Sequence, residues 1–278
     1  MQVNPHTAQP TSPMSLLDSL WRNRQLITQM TKREVVGRYK GSFLGIAWSF
    51  FNPLLMLFIY TFVFSVVFKA RWGANTDETR TQFAIVLFVG MIVHGLFAEV
   101  INRAPALISS NVNFVKKVVF PLDILPAVAI GAALFHSLVS LGVLMAAFLL
   151  VNGYLHWTAI FIPFVLLPLI ILTLGVAWML VSLGVFLRDL GQTMGIITMM
   201  LLVFSPIFYP VTALPVELRP WIMANPLTFI IEQAREVLIW GHLPNWLGLG
   251  IYSLIALMVA WLGYVWFQKT RKGFADVL

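Results

Sequence analysis

The chain has 278 residues, of which 59% are hydrophobic and only 10% are charged, and its formal net charge is +7. Soluble domains carry about a quarter charged residues, so this composition excludes an ordinary soluble enzyme and favours a membrane protein. The absence of cysteine excludes disulfides, iron–sulfur clusters and thiolate metal sites.

The first predicted elements precede any membrane-crossing segment. Residues 1–13 are rich in Pro, Thr, Gln and Ser, a composition that predicts a disordered tail, and residues 14–278 are expected to form a single transmembrane domain. Between Ser15 and Val36 apolar residues recur at helical spacing, with basic residues mostly elsewhere. This pattern predicts an amphipathic helix at the membrane surface. It is either a simple anchor or a helix that also docks a cytoplasmic partner.

Six long segments with almost no charge follow, and each can cross ~30 Å of hydrocarbon as a helix. Because a segment in lipid must satisfy its own backbone hydrogen bonds, we predict an all-α integral membrane protein. The predicted spans are residues 43–68, 83–101, 124–150, 158–187, 190–212 and 246–267. Six spans place both termini on one side, and thirteen of the 18 Lys and Arg residues fall there. The positive-inside rule therefore predicts cytoplasmic termini.

The segment between the fifth and sixth spans mixes prolines, charges and large apolar residues. Between Glu217 and Glu236 it is too polar to cross the membrane and too apolar for a free loop. Two short helices re-entering from the extracytoplasmic face fit this pattern, since irregular backbone at membrane depth is tolerated where protein surrounds it. They form either a gate over a pathway or a cap that only packs. The candidate gate residues are Pro210, Trp221, Pro226 and Arg235.

Residues that usually carry catalysis or ion coupling are sparse. The chain has no Gly-x-x-x-x-Gly-Lys-Ser/Thr phosphate loop, no His-Glu-x-x-His pair and no Gly-x-Ser-x-Gly motif. Among ionisable residues in or beside the predicted spans, Glu99 and Asp123 are candidates for a function, and both lie near a cytoplasmic end. We therefore expect no catalytic, cofactor or metal site on this chain, and an energy source on another protein.

Several short motifs, taken in their order along the chain, resemble those of the permease subunit of type-2 ABC exporters. The resemblance is to the branch that exports lipid-linked polysaccharides such as O antigens, capsules and teichoic acids, and it runs from about Leu16 to the C-terminus. The matching pieces are Lys32-Arg33-Glu34, residues 38–45 (RYKGSFLG), Trp48 with Asn52-Pro53, residues 111–126, Arg188-Asp189-Leu190 with Gln192, residues 205–210 (SPIFYP), and Asn225-Pro226-Leu227 followed by Arg235.

The resemblance implies a homodimer of this permease with two cytoplasmic ABC ATPases, which would bind ATP and Mg²⁺, in the bacterial inner membrane. The implied substrate is lipid-linked polysaccharide, in contact with membrane lipid, and no nucleic acid is expected to bind. The helix at 15–36 would contact the ATPase, and the loop around 111–117 would be a coupling helix in the ATPase cleft. The candidate coupling residues are Arg33, Asn111, Phe114, Lys116 and Lys117.

In this family the first and fifth spans line the channel. Phe51, Phe58 and Phe62 share one face of the first span by helical spacing, and aromatic rings offer flat surfaces to the apolar faces of sugars. Met199, Phe204 and Tyr209 are weaker candidates from the fifth span and the chain after it. Contacts with lipid or neighbouring helices are the alternative for all six.

Three other functions stay open at this point. A type-2 permease for a drug or a plain lipid would share the layout, although the aromatic first span and the gate-like segment favour polysaccharide. A secondary transporter or channel would need inverted repeats or paired broken helices, and no internal repeat is evident. An intramembrane enzyme would need catalytic residues at membrane depth, and none is recognisable in the sequence.

Overall fold

The computed structural model describes residues 11–67, 72, 80–111, 120–187 and 189–277, and every regular element in these ranges is helical. The predicted all-α class is therefore confirmed. The main helices of the described part are α1 (Pro13–Arg22), α2 (Arg24–Tyr39), α3 (Trp48–Tyr60), α4 (Arg80–Arg103), α5 (Leu125–Asn152), α6 (Ile162–Phe186), α7 (Leu190–Phe204), α8 (Arg219–Met223), α9 (Pro226–Arg235) and α10 (Trp246–Thr270). Most of the predicted disordered tail, residues 1–10, lies outside the described residues, and Pro13 already begins α1.

Five helical stretches among the described residues are long and apolar enough to cross a membrane. They coincide with five of the six predicted spans and are Gly45–Phe64, Gln82–Ala106, Leu122–Asn152, Trp157–Phe186 and Trp246–Gly273. The span predicted at 190–212 is different, because it is helical only over the 15 residues of α7. At 1.5 Å per residue this is about 23 Å, less than the ~30 Å of a hydrocarbon core. The fifth predicted span, residues 190–212, therefore stays a prediction.

Proline explains where α7 stops. Ser205 precedes Pro206 and has an extended backbone with ψ of 150°, as expected because the proline ring clashes with a preceding α-helical residue. The apolar run continues beyond this point, so hydrophobicity alone predicted a helix that was too long.

The helix predicted over residues 15–36 is instead two helices that meet at Asn23. The Asn23 side chain donates from Nδ2 to the carbonyl of Ser19 at 2.8 Å, and the same carbonyl accepts from the main-chain nitrogen of Asn23 at 3.1 Å. Along α1, Met14, Leu17 and Trp21 form an exposed apolar row. The opposite side of α1 packs against the protein at the buried Ser19.

Helix α4 lies at the centre of the bundle and α3 at its edge. In the most apolar part of each stretch, 83% of the residues are buried in the α4 stretch and 6% in the α3 stretch. Helix α4 packs against α5, α6, α7 and α9. Helices α6 and α10 cross closely where Gly175 faces Gly263. The approach requires glycine, since a Cβ on Gly263 would collide with the Gly175 carbonyl. Among the five long stretches, the first span is therefore the one least covered by its own chain.

Candidate functional site

Two ion pairs join α2 to the central helix α4. Arg38 donates from Nη2 to Oε1 of Glu99 at 2.6 Å, and Arg103 pairs with Glu34. Each helix carries an acidic and a basic residue four positions apart, and residues at this spacing share one helix face. The two helices run in opposite directions at this contact, so each carboxylate meets a guanidinium. We name these four residues the charge clamp.

Glu99 also contacts a third helix, α5, through His136. Nδ1 of His136 lies 3.0 Å from both carboxylate oxygens of Glu99 and 3.2 Å from Nη1 of Arg38. Carboxylates in membrane segments are costly unless they are paired, and here one carboxylate is shared by side chains of α2, α4 and α5. Glu99 is the residue on which these three helices converge.

Sequence reasoning noticed Glu99 but gave it no role, and it did not group Arg38, Arg103 and His136 with it. The available signal was an acidic residue inside an apolar span, which marks a functional candidate in membrane proteins. Its partners Arg38 and His136 are 61 and 37 residues away in sequence. Only the fold brings these helices together.

A second polar contact fixes α1 near the start of α5. Ser19 donates to Oδ2 of Asp123, and Nε1 of Trp178 donates to the Asp123 carbonyl at 2.9 Å. Arg271, just after α10, donates to the carbonyl of Phe120 at 3.3 Å. The chain that follows the predicted coupling loop is therefore tied to α1, α6 and the end of α10.

Three of the predicted coupling residues, Phe114, Lys116 and Lys117, lie outside the described residues. Arg33 is exposed on α2, next to Glu34 of the charge clamp. Asn111 donates from Nδ2 to the carbonyl of Leu107 at 2.9 Å. The ATPase contact of these residues stays a prediction, whereas the helix that carries Arg33 is joined to the core by the clamp.

The side chain of Arg235 on α9 is completely buried, and it is surrounded by an aromatic ring, a carboxylate and main-chain carbonyls. Its Cζ lies 4.1 Å from the ring centre of Trp72, an arrangement in which the ring face attracts the cation. The guanidinium donates to Oε1 of Glu232 at 2.8 Å and to the carbonyls of Val86 at 3.2 Å, Pro206 at 2.6 Å and Ile207 at 3.3 Å.

These bonds make Arg235 a joint between α9, α4 and the chain after α7. Burial lowers the pKa of Arg235 to about 10, while the neighbouring Glu232 acts in the opposite direction. The guanidinium therefore stays charged at neutral pH.

The two short helices predicted between the fifth and sixth spans are present as α8 and α9, and their position in the membrane stays a prediction. Asn225 begins α9 by accepting from the main-chain nitrogen of Leu227 and also donates to Oγ of Ser205, both at 2.9 Å. The other predicted gate residues differ in burial: Trp221 and Pro226 are exposed, and Pro210 is half-buried. Arg235 and Asn225 are the residues that attach this segment to the end of α7.

The aromatic residues predicted to line a channel lie on the surface of the single chain. Phe51, Phe58 and Phe62 are 44%, 68% and 52% exposed. Met199 and Phe204 are also exposed, whereas Tyr209 is half-buried and donates its hydroxyl to the carbonyl of Val203 at 3.1 Å. The exposed side chains among them are free to contact a second chain, a substrate or lipid.

A different face of α3 borders a cleft of about 300 Å³ between α2, α3, α4 and α5. The cleft contains Arg38, Glu99 and His136 at its wall, so the clamp is accessible from it. Within the described residues no group of three or more His, Asp or Glu side chains could hold a metal ion. Glu99 and Arg235 each join helices of the bundle. Glu99 lies near the C-terminal end of α4, and Arg235 of α9 bonds to Val86 in the N-terminal part of α4.

The sequence matches the family model of the ABC-2 type transporter over residues 25–239. It is similar to the O-antigen export system permease protein RfbA of Myxococcus xanthus, with 24% identity over 263 residues, 94% of this chain and 98% of the relative. The RfbA protein of Klebsiella pneumoniae is 28% identical over 257 residues, 91% of this chain and 95% of the relative. The polysialic acid transport protein KpsM of Escherichia coli is 24% identical over 246 residues, 86% of this chain and 91% of the relative.

Proposed function

Because the chain belongs to the ABC-2 type transporter family, we propose that it is the permease subunit of an ATP-driven polysaccharide exporter, with an O-antigen-type glycan as cargo. The observation that carries this proposal is similarity over nearly full length to permeases named for O-antigen export and polysialic acid transport. The chain is a multi-pass inner-membrane protein and a transport component rather than an enzyme.

The proposed assembly is a homodimer of this chain with two cytoplasmic ATPases that bind ATP and Mg²⁺. Six spans with cytoplasmic termini are part of the proposal, with α7 and the chain after it as the fifth span. The low burial of α3 supports the dimer, because a second copy could cover the exposed aromatic face and enclose a channel. The lipid-linked polysaccharide would move through that channel.

In the proposed mechanism, ATP binding draws the two ATPases together and displaces α2, which carries Arg33. The charge clamp would transmit this movement from α2 to α4. From Glu99 to Val86, α4 extends about 20 Å, and the Val86 carbonyl is held by Arg235. One rigid helix thereby connects the proposed ATPase side to the proposed gate. Such coupling requires contacts that differ between the closed and open states.

The aromatic channel wall gives a first prediction. Phe58→Ala should leave stability within about 0.5 kcal/mol, as for other exposed positions, and should lower the export rate by about three- to tenfold. The reason is that an aromatic contact contributes about 0.5–1.5 kcal/mol beyond burial. Surface glycan per cell, at matched permease levels, measures the effect.

Phe164→Ala is the matched control, because Phe164 is similarly exposed but lies on α6. It should change neither stability nor export. Equal losses from both substitutions would contradict a channel-lining role for Phe58.

Deleting the gene in its host tests the function itself. We expect lipid-linked glycan to accumulate at the cytoplasmic face of the inner membrane and the surface form to disappear, and the wild-type gene should reverse both changes. A normal surface glycan, in a strain without a second exporter, would overturn the polysaccharide assignment and leave the family membership intact.

A further inference from the structure

The cleft between α2, α3, α4 and α5 changes character along its length. Near α2 its wall carries the charged Arg38 and Glu99 with the imidazole of His136, followed by hydroxyl and amide groups. Further along α3 and α4 the wall is mainly apolar. The polar members beyond the charged groups are Ser49, Asn52, Ser137 and Ser140, and the largely apolar members are Met56, Tyr60, Phe88, Met91 and Ile92. We name it the amphipathic cleft.

The charged end of the amphipathic cleft presents one cation and one anion side by side. The side chains of Arg38 and Glu99 are 38% and 19% exposed, so both can bind a further group while they remain paired. A purely anionic ligand would be attracted by Arg38 but repelled by Glu99. A neutral polyol would form hydrogen bonds with these side chains but no new ion pair. A ligand with both charges a few ångströms apart matches this end best.

The remainder of the cleft indicates that the ligand also has an apolar part. Its apolar wall belongs to α3 and α4, two stretches apolar enough to cross a membrane. A volume of about 300 Å³ is at the low end of ligand pockets, which run to roughly 1,000 Å³. This space suits a headgroup and the first carbons of a chain, with the rest outside.

We propose that the amphipathic cleft binds an amine-bearing zwitterionic phospholipid, of which phosphatidylethanolamine is the simplest example. The phosphate would face Arg38 and the ammonium Glu99, with hydrocarbon along Phe88 and Ile92. The bound lipid would fill the space beside the charge clamp and brace α3 against α4 and α5. This site is separate from the proposed route of the polysaccharide.

Gly95 of α4 offers a way to fill the cleft without disturbing the fold. It lines the cleft, and a Cβ added there would meet no atom within 4 Å. Leucine also has a higher helix propensity than glycine. Gly142 of α5 is equally open but does not line the cleft. Gly142→Leu is therefore a matched control for Gly95→Leu.

The test titrates phosphatidylethanolamine or phosphatidylglycerol of identical chains into delipidated full-length protein and counts bound lipids by native mass spectrometry. Wild type and Gly142→Leu should each bind phosphatidylethanolamine about tenfold more tightly than phosphatidylglycerol, a difference of about 1.4 kcal/mol. Gly95→Leu should lose this preference. Unchanged binding by Gly95→Leu would overturn the site. Equal binding of the two lipids would overturn the zwitterion, and no bound lipid would overturn the proposal.

A second variant keeps the proposal testable if Gly95→Leu aggregates. The Asn52 side chain is exposed, lines the cleft and makes no hydrogen bond within the described residues, so Asn52→Leu removes a polar group without breaking a contact there. It should weaken phosphatidylethanolamine binding several-fold, and wild-type affinity would count against the site. Neither ATP nor glycan enters this assay, so a negative result leaves polysaccharide export unaffected.

Discussion

Glu99→Gln is expected to reduce polysaccharide export by roughly tenfold or more while the protein still inserts and assembles. The substitution removes the charge shared by Arg38, Arg103 and His136. In direct contact, paired residues typically show interaction energies of about 0.5–3 kcal/mol, and about 1.4 kcal/mol corresponds to a tenfold change. Both members of the Arg38–Glu99 pair keep some solvent contact. Because water weakens an ion pair, we expect its interaction energy to lie in the lower half of that range.

A double-mutant cycle separates the ion pair from other effects. Glu99→Gln leaves Arg38 without its carboxylate, so adding Arg38→Gln should cause little further loss, whereas independent sites would give additive losses. Lys40→Gln removes the same charge two residues away, at an exposed position with no ion pair in the described part of the chain, and should be neutral.

Two measurements locate the defect in the exporter. Surface glycan at matched permease levels reports export, and ATP hydrolysis by the purified complex reports whether the ATPase still responds. We expect low export with hydrolysis largely retained, because the clamp transmits movement and does no chemistry. Normal export by Glu99→Gln would contradict a coupling role for the clamp.

Arg235→Leu is expected to destabilise the protein by about 3–5 kcal/mol, because each buried acceptor left without its donor costs about 1–3 kcal/mol. Leucine would leave the Glu232 carboxylate without its cation, and the carbonyls of Pro206 and Ile207 would lose their donor. Arg235→Lys should be intermediate, because one ammonium cannot reproduce the planar fork of bonds made by a guanidinium.

Thermal unfolding in detergent, together with the yield of monodisperse protein, measures the loss at Arg235. Arg219→Leu in the same segment is the control. Arg219 is half-buried and donates to the carbonyls of Thr212 and Leu214, so its removal should cost markedly less. If both substitutions lowered the melting temperature equally, Arg235 would not be the joint that holds α9.

The N-terminal helix and the fifth span show how far local patterns reach. Apolar periodicity located both, but it did not reveal the break at Asn23 or the end of α7 before Pro206. The first boundary falls at Asn23, whose side-chain amide donates to the Ser19 carbonyl, and the second follows from a proline ring. Averaged hydrophobicity does not register either effect.

For the candidate residues too, some properties could be read from the sequence and others only from the structure. Arg235 was predicted for the gate from its place in a segment that mixes prolines, charges and apolar residues, and the structure shows that it is completely buried. Its partners Val86 and Pro206 lie 149 and 29 residues away, and sequence spacing carries no information about such contacts. Phe58 was chosen by helical spacing, and the structure shows which side of α3 its own chain leaves uncovered.

The sequence by itself determined the all-helical class, most of the spans and the short helices α8 and α9. These follow from local composition, because each apolar segment must satisfy its backbone hydrogen bonds internally. Only the tertiary structure decided which charges neutralise one another and which face of α3 is covered. Ion pairing and packing depend on distances between helices, so Glu99 acquired its partners only when α2, α4 and α5 came together.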